Sequence, residues 1–261
     1  MDGFFGIHPT AIVAASARVG RNVTIGAHSI VYDNVVLGDD TFVGSHCTLG
    51  EPVVAIHSQR QTYVNPQLNI GAKSLIRSGS TLYAGSRLAD GFECGHKVTI
   101  REGSCIGRNV RIGTLSDVQG HCEIGNFVRF HSNVHLGHRS VVKDYVWIFP
   151  YVVLTNDPHP PSDTLVGVTV EEFAVIATMS VILPGVTIGR DALVGACSMV
   201  RKDVDPESVV VGNPAKPVAS VRDIKSKFDG SCIYPWRETF DRGMPWEGIG
   251  YETWRQGMQA D

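Results

Sequence analysis

Long apolar runs are missing from this 261-residue chain. No segment approaches the ~20 consecutive apolar residues that a membrane-spanning helix needs. A charge excess is missing too: 23 Lys and Arg stand against 26 Asp and Glu, a net charge of −3. Without a basic field, no nucleic-acid partner is expected. The six cysteines (Cys47, Cys94, Cys105, Cys122, Cys197 and Cys232) form no CxxC pair, which argues against a zinc knuckle or a dithiol redox motif. The first residues, Met-Asp-Gly-Phe-Phe-Gly, lack the basic region and apolar core of a signal peptide. These absences predict a reduced, cytoplasmic protein with no membrane contact. The 3.6-residue period of an amphipathic helix is also missing.

A six-residue period is present instead. From Ile70 to Leu154 every sixth position is apolar, 15 sites without a slip, and glycine often follows, as at Gly71, Gly95, Gly107, Gly113, Gly125 and Gly137. The same period runs from Ile7 to Leu49 and from Val170 to Val200, giving 29 hexads in all. Fixed self-similarity of this kind predicts a solenoid, and a hexad period predicts a parallel β-helix. Three hexads make one triangular coil, so residues 18 apart stack at roughly 4.8 Å, the spacing of paired strands. The corners call for positive φ, which Gly, Asn and Asp tolerate. Gly20-Arg21-Asn22 and Gly107-Arg108-Asn109 supply such residues.

The period predicts an all-β chain of about ten coils with two interruptions. Residues 51–69 hold a small loop, with Arg60, Gln61 and Tyr63 exposed. Residues 155–163 leave the prism as a longer excursion, because Pro158, Pro160 and Pro161 cannot donate to a ladder. The β-helix domain is placed at 1–217. A non-repeat tail follows at 218–261, with a short helix at 218–228 and a dense set of aromatics: Tyr234, Trp236, Phe240, Trp246, Tyr251 and Trp254. These are expected to cap the prism or cover a neighbouring subunit.

Three stretches carry a resemblance. Residues 91–102 read Gly-Phe-Glu-Cys-Gly-His-Lys-Val-Thr-Ile-Arg-Glu, similar to a GFxTGHxVxIRE stretch. His-Ser-Asn-Val-His at 131–135 leads on to Trp-Ile-Phe-Pro-Tyr-Val-Val-Leu-Thr-Asn-Asp at 147–157. Residues 176–189 are followed by Val-Gly-Asn-Pro-Ala-Lys at 211–216. Together they resemble the hexapeptide-repeat acyl-CoA-dependent N-acyltransferases of nucleotide-linked amino sugars, over roughly residues 7–220. The resemblance implies a left-handed β-helix and a homotrimer with sites between subunits. It also implies acetyl-CoA or another acyl-CoA as co-substrate, no metal, and a dTDP- or UDP-linked amino sugar of cell-surface polysaccharide synthesis as acceptor. The Asn-Asp-Pro-His-Pro loop is similar to the catalytic-histidine loop of galactoside-type acetyltransferases, with His159 in the matching place. The resemblance further puts Ala177, Thr178, Gly195 and Ala196 along a pantetheine groove; because acyl-CoA is polyanionic and the chain's net charge is negative, Lys202 and Lys216 of the last coils are expected to supply local positive charge near it.

Column arithmetic selects the other candidates. Asp117 and His135 differ by 18, so they should stack on adjacent coils, where a carboxylate fixes the imidazole's tautomer or charge. His138 and Asn156 also differ by 18. Glu93 belongs to another prism face and could meet Asp117 only across an interface. His96 joins Glu93, His138 and Asn156 as a candidate substrate contact, while His159, Asp117 and His135 are the candidate catalytic groups. Competing readings are an O-acetyltransferase acting on a sugar hydroxyl, a γ-carbonic-anhydrase-like zinc enzyme with three converging histidines, and a non-catalytic scaffold.

Overall fold

The computed structural model describes residues 5–258. Three flat sheets of 10, 9 and 11 strands form the sides of a triangular prism. Successive strands step from one sheet to the next, and pairing within each sheet is parallel except for the last strand. This is the parallel β-helix that the hexad period predicts. Register follows the 18-residue coil: Ile30 lies against Thr48, Thr99 against Asp117, and Arg111 against Arg129.

The sixth-residue aliphatics point into the prism. Ile25, Ile76, Ile100, Leu136 and Ile148 have no exposed surface and fill one continuous core. Cys94 and Cys122 sit among them as small apolar residues. Burial pushes their thiols up to about 12 and about 11 respectively, which leaves both protonated and inert. Asn22, Asp40 and Asn109 take positive φ at the corners, as expected. So do several bulky residues, among them Phe127, Tyr145 and Phe173. Each such corner is held by a ladder bond, as from the Tyr145 N–H to the Asn126 carbonyl at 2.9 Å. Those bonds and the side-chain stacking offset the strain.

Both interruptions appear. In the first, a single helical turn spans Ala55–Ser58 between the strands Thr48–Glu51 and Leu68–Ile70. Tyr63 is half-buried rather than exposed: its hydroxyl accepts from the Val53 N–H at 3.0 Å and donates to Asn65 at 2.8 Å. The second separates the strands Val153–Leu154 and Thr169–Val170.

The tail differs from expectation. The helix expected at 218–228 is replaced by the strand Ala215–Ser220, which turns back antiparallel onto Ser208–Gly212, and one 3-10 turn at Val221–Asp223. The free edge of Ser208–Gly212 offers ladder partners that an isolated helix would forgo, and Pro217 is tolerated on an edge strand. The tail's α-helix lies instead at Tyr251–Met258. The aromatics fold back onto their own prism, not over its end. Trp236, Met244, Trp246 and Tyr251 form a second core with Phe173 and Val175. The Trp236 indole donates to the Phe173 carbonyl at 2.8 Å.

Candidate active site

The ten-stranded sheet carries Asp117 and His135 on its outer surface, paired in register on neighbouring coils. Strand side chains alternate in and out, so Val118 and Leu136 face the core while the residue before each faces solvent. The Nδ1 of His135 stands 3.1 Å from the Asp117 carboxylate, and both side chains are rather more than a third exposed. Burial raises the Asp117 carboxyl, but hydrogen bonds from His135 and Gln119 outweigh it and hold it below its ordinary value. The Gln119 amide donates to the same carboxylate oxygen at 2.7 Å. With Nδ1 committed to the carboxylate, the Nε2 atom of His135 is left to accept a proton.

One corner of the prism extends this pair. Arg101 lies one coil below Gln119, donates to its side-chain amide oxygen at 3.4 Å, and is ion-paired to Glu102 at 2.7 Å. His121 and His138 meet edge to face, with ring centroids 5.2 Å apart. Burial, then His121 and the two nearby arginines, keep the His138 imidazole below its ordinary value, so it is neutral near pH 7. Asn156 stands one coil above Gly137 at this corner, and its carbonyl accepts from Val166 at 2.8 Å across the base of the excursion loop. His159 is exposed on that loop. Its backbone N–H and that of Ser162 both donate to Asp157, which fixes the loop's shape.

The opposite corner of the same sheet carries the small residues. Ala177 and Thr178 stack beneath Gly195 and Ala196, bound through the ladder from the Ala177 N–H to the Val194 carbonyl at 2.9 Å. Lys216 is opposite Val211 on the antiparallel pair, one level beyond Gly195. Lys202, expected near this groove, instead lies exposed past the far end of the strand Met199–Val200, on the excursion-loop corner, because the chain has crossed the ten-stranded face by then. His96 is exposed lower on that small-residue corner, its backbone N–H donating to Thr114. Glu93 is not with Asp117: it lies on the eleven-stranded sheet, ion-paired with Arg111 at 3.1 Å. Among the described residues no three His, Cys, Asp or Glu side chains are grouped so as to hold a metal ion. No helix among them is long and apolar enough to cross a membrane.

Sequence reasoning missed Gln119, Arg101 and Glu102, although 101 and 119 differ by one coil and the same arithmetic finds them. It also missed a cavity of about 390 Å³ between the eleven-stranded sheet and the tail, lined by His131, Trp147, Phe149, Tyr234, Trp236 and Phe240. No single-chain periodicity announces a pocket whose second wall is an irregular tail.

Comparison with known proteins follows the same lines. Residues 16–51 match the bacterial transferase hexapeptide family (six repeats). The chain is 31% identical over 146 residues to the chloramphenicol acetyltransferase of Agrobacterium fabrum, a match covering 52% of this chain and 61% of that relative. The chain thus spans about three fifths of that curated relative's length. The solved structure of Arabidopsis UDP-N-acetylglucosamine acyltransferase shares the fold, with a TM-score of 0.53 at 18% identity over 82% of this chain and 74% of that one. Serine acetyltransferase of Neisseria gonorrhoeae matches 38% of this chain and 39% of its own, with 29% identity and a TM-score of 0.35.

Proposed function

We propose that this hexapeptide-repeat chain is an acyl-CoA-dependent N-acyltransferase acting on the amino group of a nucleotide-linked amino-deoxy sugar. The observation that carries the reading is the stacked Asp117–His135 pair on one side of the prism, flanked by the excursion loop at one corner and small residues at the other. The relatives' printed names, acetyltransferase and acyltransferase, support acyl transfer as the class of reaction.

The acceptor arrives as an ammonium ion and must lose a proton before it can attack. His135 Nε2 takes that proton, and Asp117 holds the imidazole in the tautomer that leaves Nε2 unprotonated. The amine nitrogen then bonds to the thioester carbonyl carbon. The C–S bond breaks as the tetrahedral intermediate collapses, the attacking nitrogen gives up its second proton, and the departing thiolate takes that proton up, leaving an amide and a free thiol. The backbone N–H groups of Thr178 and Ala196, beside the ladder-bonded N–H groups of Ala177 and Gly195, receive the acyl donor, because small side chains there let the pantetheine arm approach the chain. Ala177 stands two coils above His135 and Gly195 three, roughly 10 and 14 Å along the prism axis by strand spacing. Lys216 offsets the cofactor's negative charge. His138, Asn156 and His159 contact the sugar from the loop corner. Glu93 and His96 are assigned to the acceptor site across the interface of a homotrimer, since neither lies beside Asp117 in one protomer.

The test is thiol release from acetyl-CoA with a panel of dTDP- and UDP-linked amino sugars. Release with an amino sugar and none with its hydroxyl analogue is the expected result. Faster turnover of the hydroxyl analogue would assign the O-acetyltransferase reading, and silence across the panel and a set of longer acyl donors would remove both.

A further inference from the structure

We infer that Lys225 and Cys232 form a covalent cross-link through one oxygen atom, Nζ–O–Sγ, when the protein meets peroxide. The two residues face each other on an isolated antiparallel bridge in the tail. A tight turn brings them there. The Ser226 N–H donates to the Ser231 carbonyl at 2.9 Å, the Gly230 N–H returns to the Ser226 carbonyl at 3.0 Å, and Asp229 accepts from both the N–H and the hydroxyl of Ser231. Gly230 supplies the positive φ, at 71°. Directly opposed residues of an antiparallel pair put their side chains on the same side. The amine Nζ of Lys225 accordingly lies 2.7 Å from the Cys232 Sγ.

That separation is shorter than an ordinary N–H···S contact, which runs well beyond the 2.7–3.2 Å of N–H···O bonds because sulfur is larger. It is the distance that two atoms joined through a bent oxygen bridge would keep. Both residues are exposed, so peroxide reaches them, and neither has another side-chain partner among the described residues. The other free thiols differ. Cys47, Cys94 and Cys122 are buried, and no lysine amine is in hydrogen-bond contact with Cys105 or the exposed Cys197 among the described residues.

The chemistry balances with hydrogen peroxide as oxidant. The Cys232 thiolate attacks one peroxide, the O–O bond breaks, and a sulfenic acid forms with loss of hydroxide. The Lys225 amine takes oxygen from a second peroxide, giving a hydroxylamine and water. The hydroxylamine oxygen then bonds to sulfur, and the sulfenic hydroxyl leaves as water. Thiol, amine and two peroxides become one bridge and three waters, and sulfur and nitrogen together give up four electrons. The bridge pins the hairpin that leads into Ile233 and Tyr234, which line the cavity between tail and prism.

The full chain, treated with hydrogen peroxide, alkylated, digested and mapped by mass spectrometry, tests this. The expected product is a linked Lys225–Cys232 peptide heavier than the reduced form by one oxygen less two hydrogens. Dithiothreitol reverses it, and it is absent from Cys232→Ser and Lys225→Arg. In Lys225→Arg, Cys232 stops at the sulfinic or sulfonic acid, as Cys197 does in every sample. A link lighter than the reduced form by two hydrogens would mean a direct S–N bond and would overturn the oxygen bridge. Wild-type Cys232 ending as a free acid, with no linked peptide, would overturn the cross-link altogether.

Discussion

Arg237 of the tail is buried against the carboxylate of Asp191 at a prism corner, with only 11% and 4% of their side chains exposed. The guanidinium also lies over the Phe173 ring, 4.8 Å from its centroid, and burial holds it below its ordinary value. The tail is thus clamped to the prism through this buried charged pair set in an aromatic wall, with a second, exposed pair between Arg222 and Glu207. Arg237→Ala leaves the carboxylate buried, and Arg190 at 3.7 Å offsets only part of the loss. The expected cost is about 3 kcal/mol, in the range for breaking a buried pair. Because the tail is a separate cluster, the loss appears as tail-specific proteolysis while the prism stays folded. Loss of the whole fold in one step would contradict this.

Asp117→Asn tests the tautomer argument. The amide keeps the shape but presents its N–H₂ to Nδ1, so Nε2 becomes protonated and can no longer accept. Turnover is expected to fall by roughly 10²–10⁴, the usual contribution of a placed base, with little change in KM for the acyl donor. His135→Ala should match it. In the proposed mechanism His159, first a catalytic candidate, is assigned an acceptor contact, so His159→Ala should lower turnover by only about tenfold. Equal losses in the His135 and His159 variants would move the base to the loop.

The lowered Asp117 carboxyl has a stability consequence with a definite sign. Its folded pKa lies below its unfolded value, so its stabilisation is fully present above the ordinary carboxylate pKa of about 3.9 and is lost as pH falls through the folded value. Urea midpoints of wild type and Asp117→Asn are expected to differ by a constant amount at neutral pH and to converge below about pH 4. A gap that widens on acidification would reverse the assignment.

Gly195 sets the width of the small-residue corner. A Cβ built there meets the Val211 Cγ1 at 2.5 Å, so Val211 must shift. Gly195→Ala is expected to raise KM for the acyl donor about tenfold, roughly the weight of 1.4 kcal/mol, while KM for the amino acceptor is unchanged. Isothermal titration with free CoA gives the same answer without turnover. Unchanged CoA affinity would take the donor away from this corner.

Much of this protein is written in its hexads. A period of six with inward aliphatics such as Ile100, Val118 and Leu136 admits one stacked arrangement, because each coil can bury its apolar side chains only against the coils above and below. Residue spacing therefore fixed the fold and the Asp117–His135 contact, since 18 residues of chain return to the same column. It also separated Glu93 from them. Tertiary structure decided what no period covers. The tail has no repeat, so only packing chose its resting place on the eleven-stranded sheet, its strand at Ala215–Ser220, and the meeting of Arg237 with Asp191 and of Lys225 with Cys232. Those contacts join residues whose spacing follows no rule: buried aromatics and a free sheet edge each need a partner, and a tight turn sets Lys225 against Cys232.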